Sequence, residues 1–119
     1  MRVDTRPRNR NAGRPPEKDA PGFLQYLRGR PCVFHDEGGC ADKIEAAHLD
    51  FAGDKGISTK VSDRYALPFC RGHHARQHSI GWDSFMAEMG VTREELMRGA
   101  AKFWNAWPGR PAWERKTAA

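Results

Sequence analysis

The chain has 119 residues, which suits a single domain and is too short for two independent hydrophobic cores. Its 20 lysines and arginines against 15 acidic residues give a net charge of +5, which favours binding to polyanions. Since it has neither an apolar run of about 18 residues nor an apolar secretory leader, we predict a cytoplasmic protein with no membrane partner.

Charge and proline content divide the chain into three segments. Residues 1–21 hold six basic residues, three acidic residues and four prolines but almost no large apolar side chain, so they predict a flexible basic arm. Residues 22–108 carry the apolar side chains of a single domain, and residues 109–119 predict a C-terminal tail.

The first half of the domain is predicted to consist of short elements joined by polar loops. The alanines of the first predicted strand, residues 44–49, leave a helix as its alternative. Pro68 confines the second predicted strand, residues 64–69, to a sheet edge or a strand end. In chain order we predict a helix over 23–28, a polar loop over 32–40, a strand over 44–49, a loop over 50–63, a strand over 64–69 and a helix over 73–79.

The last third is predicted to be helical. Residues 82–89 have an amphipathic pattern that ends at Gly90. Thr92 and Glu95 have the spacing of a capping box, which predicts a helix that reaches about residue 107. All four tryptophans follow residue 81, and we expect them to pack helices together.

All three cysteines and all five histidines lie between Cys32 and His78. An odd number of thiols in a reducing compartment favours metal ligation or burial over disulfides. Cys70 and His73 have a Cys-x2-His spacing where a strand turns into a helix, which is typical of one half of a zinc site. Cys32 and Cys40 supply two further thiolates and complete a Cys3His set, with His35 as the alternative to Cys40.

The helix contains a second pair of histidines. His74 and His78 are four residues apart, so they share one helix face, whereas His73 points about 100° away from His74. One ion therefore cannot easily bind both His73 and His74, and the spacing predicts a second metal site on His74 and His78. His48, at the end of the first strand, has no cysteine neighbour and is a candidate base.

Residues 31–78 resemble the HNH, or His-Me finger, nucleases of small phage and prophage type. The resemblance is carried by a pair of cysteines, a strand ending in histidine, a loop, and the motif LPFC-x2-HH-x3-H. It implies an α+β domain with a zinc-stapled ββα-metal core, flanking helices and a C-terminal helical cover. It also implies that His48 activates water while His74 and His78 hold a divalent ion (Mg²⁺, Mn²⁺, Ni²⁺ or Zn²⁺) against the scissile phosphate of DNA.

The chain departs from the family pattern at two positions. Ala47 occupies the place where many members carry a metal-binding Asp or His, so Asp50 becomes the candidate third ligand by position alone. The Asn that often orients the base would fall near Tyr65, so the resemblance assigns that role to Asp63 or a backbone carbonyl.

Two other functions are compatible with the sequence. One is a non-catalytic zinc-binding nucleic-acid-binding module, and the other is an adaptor whose tryptophan-rich helices dock to a larger phage or recombination assembly. The surplus histidines favour the nuclease, because a binding module needs only four ligands.

Three arginines lie close enough in sequence to contact phosphates, namely Arg64, Arg71 and Arg76.

Overall fold

The computed structural model describes residues 16–52 and 61–118, so most of the predicted basic arm and the centre of the long loop lie outside it. The described elements follow a 3-10 turn at Pro16–Lys18. They are α1 (Pro21–Arg28), β1 (Ile44–His48), β2 (Ala66–Cys70), α2 (Arg71–Ile80), α3 (Trp82–Met89), α4 (Arg93–Ala106) and α5 (Arg110–Ala118).

The two strands form an antiparallel sheet in which Ile44 pairs with Cys70 and His48 with Ala66. The 44–49 segment is thus a strand and not the alternative helix. Because side chains alternate along a strand, the sheet has two distinct faces. One face buries Ala47 in a core with side chains of β2, α3 and α4, and the other packs against the buried apolar side chains of α1.

β2 continues directly into α2, which packs back along the sheet. Glycines end α2 and α3, and Gly90 adopts a left-handed conformation at φ 70°. The capping box at the start of α4 is confirmed, since Thr92 Oγ1 accepts from the backbone N–H of Glu95 and the Glu95 carboxylate accepts from that of Thr92. The described helices include none that is long and apolar enough to span a bilayer.

The folded body extends beyond both boundaries predicted from composition. Ala20 is buried, and the Lys18 carbonyl accepts a hydrogen bond from the Asp63 backbone N–H. At the other end, the segment predicted as a tail forms α5, and Trp113 packs edge-on against Trp104. Residues 16–21 and 110–118 are thus part of the described fold, although both segments are polar in composition.

Candidate metal centre

Three thiols and one imidazole converge at the start of α2. His73 Nδ1 lies 3.5 Å from Cys32 Sγ, 3.6 Å from Cys40 Sγ and 3.2 Å from Cys70 Sγ. The four ligand atoms lie within 4.8 Å of one another, and they are the set predicted from the spacing. They form the only group of three or more His, Cys, Asp or Glu ligands found in residues 16–52 and 61–118.

The loop that carries Cys40 is folded back onto the helix start by its glycines. Gly38 and Gly39 have φ values of 78° and 76°, a region that side-chain-bearing residues rarely adopt. Gly72 donates a hydrogen bond to the Ala41 carbonyl, and a Cβ at Gly72 would come within 3.0 Å of the Gly39 carbonyl oxygen. The backbone thus brings Cys40 to the cluster through close contacts that a side chain at residue 72 would obstruct.

His35, the alternative ligand, lies outside the cluster. Its Nδ1 is 3.0 Å from the Cys32 carbonyl oxygen and its Nε2 is 3.3 Å from the Asp36 carboxylate. With 60% of its side chain exposed, it faces solvent and not the sulfurs. The structure therefore favours Cys40 over His35.

The charges within the cluster are unequal. Burial opposes ionisation of Cys70, but backbone hydrogen bonds from His73 and Ala41 outweigh it and lower the pKa of this thiol to about 6. Burial raises the pKa of Cys40 to about 12, helped by hydrogen bonds with the other two thiols. Although Cys40 as a residue is exposed, its Sγ lies among the other ligand atoms. At neutral pH, Cys70 is therefore largely ionised and Cys40 protonated.

The donor set suits zinc. Three sulfurs and one imidazole nitrogen are a common tetrahedral zinc set, and all four ligand positions are filled by the protein. The buried ring of Phe34 packs against His73 at 5.3 Å between centroids. These features indicate a closed structural site that could hold zinc or a similar metal.

The side chain of His74 points away from the cluster, as predicted. Its Nε2 lies 3.1 Å from Nε2 of His78, and its Nδ1 lies 2.8 Å from Oε1 of Glu45 on β1. The second carboxylate oxygen of Glu45 accepts a hydrogen bond from Nε of Arg71 at 3.0 Å. The hydrogen bonds from His74 and Arg71 lower the pKa of the Glu45 carboxyl, so this group is ionised at neutral pH.

The separation of the two Nε2 atoms suits a shared metal ion. Two imidazole nitrogens at about 2.05 Å from one ion, with a bond angle between 90° and 109°, are about 2.9–3.3 Å apart. The observed 3.1 Å falls in this interval. His74 and His78 could therefore bind one ion and leave its other positions open to water or substrate.

His48 belongs to a second polar group. Its Nε2 lies 2.8 Å from Oδ1 of Asp63, whose side chain is 1% exposed, while 29% of the His48 side chain is exposed. The other Asp63 oxygen accepts from the Ala20 N–H at 2.8 Å. The same peptide group offers its Asp19 carbonyl to Nε1 of Trp113 at 2.8 Å. Of the two orienting groups predicted for His48, Asp63 is therefore the one observed.

The polar contacts of His48 and of the helical pair involve different faces of β1. Glu45 and His48 are three residues apart on a strand, so their side chains leave opposite faces of the sheet. However, α2 runs alongside β1. His74, near the start of α2, contacts Glu45 near the start of β1, and Trp82, just after α2, contacts Phe51, just after β1. His78 lies one helical turn beyond His74 on α2.

The remaining predicted residues have other contacts. Asp50 is exposed in the turn after β1 and is not part of the ligand group found among the described residues. Arg71 pairs with Glu45, Arg76 pairs with Glu88, and the Arg64 guanidinium lies 5.2 Å from the centroid of the Trp104 ring.

Sequence reasoning missed two features of these sites. Glu45 carries no motif, and only the alternation of β1 together with the position of α2 places it beside His74. The peptide between Asp19 and Ala20 lies in the segment predicted as an arm.

Comparison of the chain with family models, curated proteins and solved structures finds no match.

Proposed function

We propose that the chain is a metal-dependent endonuclease that hydrolyses DNA phosphodiester bonds, with His48 as general base and a divalent ion on His74 and His78. The observation that carries the proposal is the pairing of a partly exposed His48 with a buried Asp63. A carboxylate only accepts hydrogen bonds, so it places the proton of His48 on Nε2 and leaves the lone pair on Nδ1. This tautomer and orientation are those that a general base requires.

His48 Nδ1 would take a proton from the attacking water, and Asp63 would stabilise the imidazolium that forms. Hydrolysis also requires that the charge on the phosphate and on the leaving oxygen be neutralised. A divalent ion bound by the two Nε2 atoms would supply that charge at the edge of β1. The proposal therefore requires one phosphodiester to reach both His48 and the helical pair, whose polar contacts involve opposite faces of β1.

The Cys3His cluster supports this function without taking part in it. It joins the 32–40 loop, the end of β2 and the start of α2, and thereby fixes the first turn of the helix that carries His74 and His78. The net charge of +5 favours a polyanionic substrate, and we expect affinity for DNA to fall as salt concentration rises.

A plasmid-nicking assay tests the proposal. Supercoiled plasmid is incubated with zinc-loaded protein and Mn²⁺, Ni²⁺ or Mg²⁺, and the wild type is compared with His48→Ala and with His35→Ala as a matched exposed-histidine control. We expect wild type and His35→Ala to nick equally, and His48→Ala to be slower by about 10²–10⁴-fold.

Equal nicking by the wild type and His48→Ala would refute His48 as the base. A wild type that shifts DNA in a gel but never nicks it would favour the zinc-binding nucleic-acid-binding module. A chain that does neither but co-purifies with a partner would favour the adaptor.

A further inference from the structure

Glu45 connects the sheet to the helical histidine pair. Its carboxylate lies between two donors, His74 Nδ1 on one oxygen and Arg71 Nε on the other, at 2.8 Å and 3.0 Å. The side chains of Glu45 and His74 are 30% and 20% exposed, so the contact is partly shielded from water. Arg71 and His74 are three residues apart on α2, and one carboxylate on β1 therefore holds both.

We propose that Glu45 is a positioning residue for a metal ion bound by His74 and His78, an inference that rests on the proposed function. A carboxylate must receive its hydrogen bond from a protonated Nδ1, so His74 is held in the tautomer whose Nε2 carries a lone pair. That Nε2 is the atom 3.1 Å from Nε2 of His78. Glu45 thus selects the tautomer and the ring orientation that the pair needs to bind metal.

The geometry assigns Glu45 to positioning and not to ligation. Its oxygen is bonded to the ring nitrogen of His74 that faces away from His78. The three residues also fail to bring three ligand atoms within 4.8 Å of one another, unlike the Cys3His group among the described residues. A carboxylate that contacts the distal nitrogen of a metal-binding histidine is a common supporting arrangement in metal sites.

Calorimetric titration with Ni²⁺, in the absence of DNA, tests the inference. Protein carrying one equivalent of zinc is compared with Glu45→Ala, Glu45→Gln and the control Glu88→Ala, which removes an exposed glutamate paired with Arg76 of the same helix. We expect wild type and Glu88→Ala to bind one Ni²⁺ with equal affinity. Glu45→Ala should bind about 10–100-fold more weakly. Glu45→Gln should stay within about fivefold of the wild type, because Arg71 is half exposed and also lies near Asp42, so the amide oxygen can accept from His74 Nδ1.

Nitrogen-15 NMR of the histidine rings adds a readout that a purely structural role would not change. In the zinc-loaded wild type, the His74 proton should reside on Nδ1, and in Glu45→Ala this preference should be lost while the His73 signals stay unchanged.

Three results would overturn the inference: Ni²⁺ affinity in Glu45→Ala equal to the wild type, Glu45→Gln as weak as Glu45→Ala, or no Ni²⁺ binding by the wild type. Failure of the nuclease proposal has a different signature. Glu45-dependent Ni²⁺ binding by a protein that never nicks DNA would refute the nuclease and leave the positioning role intact.

Discussion

His73 and His74 are neighbours in sequence but serve two different kinds of site. His73 faces three sulfurs from the 32–40 loop and β2, and every ligand position there is filled by the protein. His74 faces His78 and is supported by one carboxylate from β1, so most positions of any ion bound there would be open. A turn of about 100° per residue is sufficient to separate a structural site from a candidate reactive one.

If the helical pair binds the proposed ion, the difference would keep stability and reactivity apart within a small domain. In the cluster, ligands distant in sequence are joined, so metal binding there contributes directly to the free energy of folding. In the pair, both ligands already lie on one helix, so a metal ion there adds little to the fold.

The largest effect is expected from Cys70→Ser. Loss of the zinc ligand should lower the melting temperature by at least about 10 °C, because each kcal/mol of lost stability shifts a domain of this size by about 4–8 °C. The measurement is thermal unfolding by circular dichroism, together with zinc content per chain. His35→Ala is the control and should retain both values, and a loss of zinc in that variant would contradict the choice of Cys40 over His35.

His78→Ala should leave the melting temperature nearly unchanged but remove most of the nicking activity. His78 is exposed, so we expect the melting temperature to change by less than about 3 °C. Nicking should fall at least about 100-fold, because the second metal ligand is lost. If His78→Ala and Cys70→Ser unfold alike, the two sites are not separate.

Asp63→Asn should change the tautomer of His48. The Ala20 N–H needs an acceptor, so the amide oxygen would face Ala20 and the amide NH2 would face His48 Nε2. His48 would then carry its proton on Nδ1 and lose its base, and nicking should fall about 100-fold. The comparison is with wild type at matched zinc content, and unchanged nicking would show that Asp63 does not orient the base.

The smallest effect concerns pH and the metal-free protein. The pKa of Cys70 is lowered to about 6 in the fold, so its stabilising thiolate contribution is lost as pH falls from 9 through 6. The pKa of Cys40 is raised to about 12, so the fold favours its neutral thiol. The contribution of Cys40 to stability therefore depends on pH in the opposite direction and is lost as pH rises above 9. The Cys70 contribution should be visible as a stability difference between wild type and Cys70→Ser that grows from pH 6 to pH 9.

That difference is measured by urea unfolding of both proteins in the presence of a chelator. A difference that stays constant across this range would show that Cys70 is not the thiolate of the metal-free cluster.

The sequence was most informative where chemistry restricts the choice of residue. Thiols and imidazoles are few and specialised, so the Cys3His group could be predicted from four positions before any packing was known. The capping box of α4 was equally local, because both of its partners lie within one helical turn. The function implied by the family resemblance stays a prediction.

Contacts between distant segments could not be predicted in the same way. Glu45 meets His74 only because β1 pairs with β2 in one register and α2 then packs along that face, and a shift by one residue would present Ala46 instead. Composition also does not reveal that Trp113 packs against Trp104 or that Ala20 is buried, so the described fold extends past the boundaries drawn near residues 21 and 109.

The peptide bond between Asp19 and Ala20 links the last helix to the histidine at the end of β1. Its carbonyl is held by the Trp113 indole, and its N–H holds the carboxylate that orients His48. Hydrogen bonds linked in such a chain polarise one another. A proteolytic cut or a fusion that displaces α5 would therefore alter the hydrogen bonding of the His48 imidazole, with which α5 has no direct hydrogen bond.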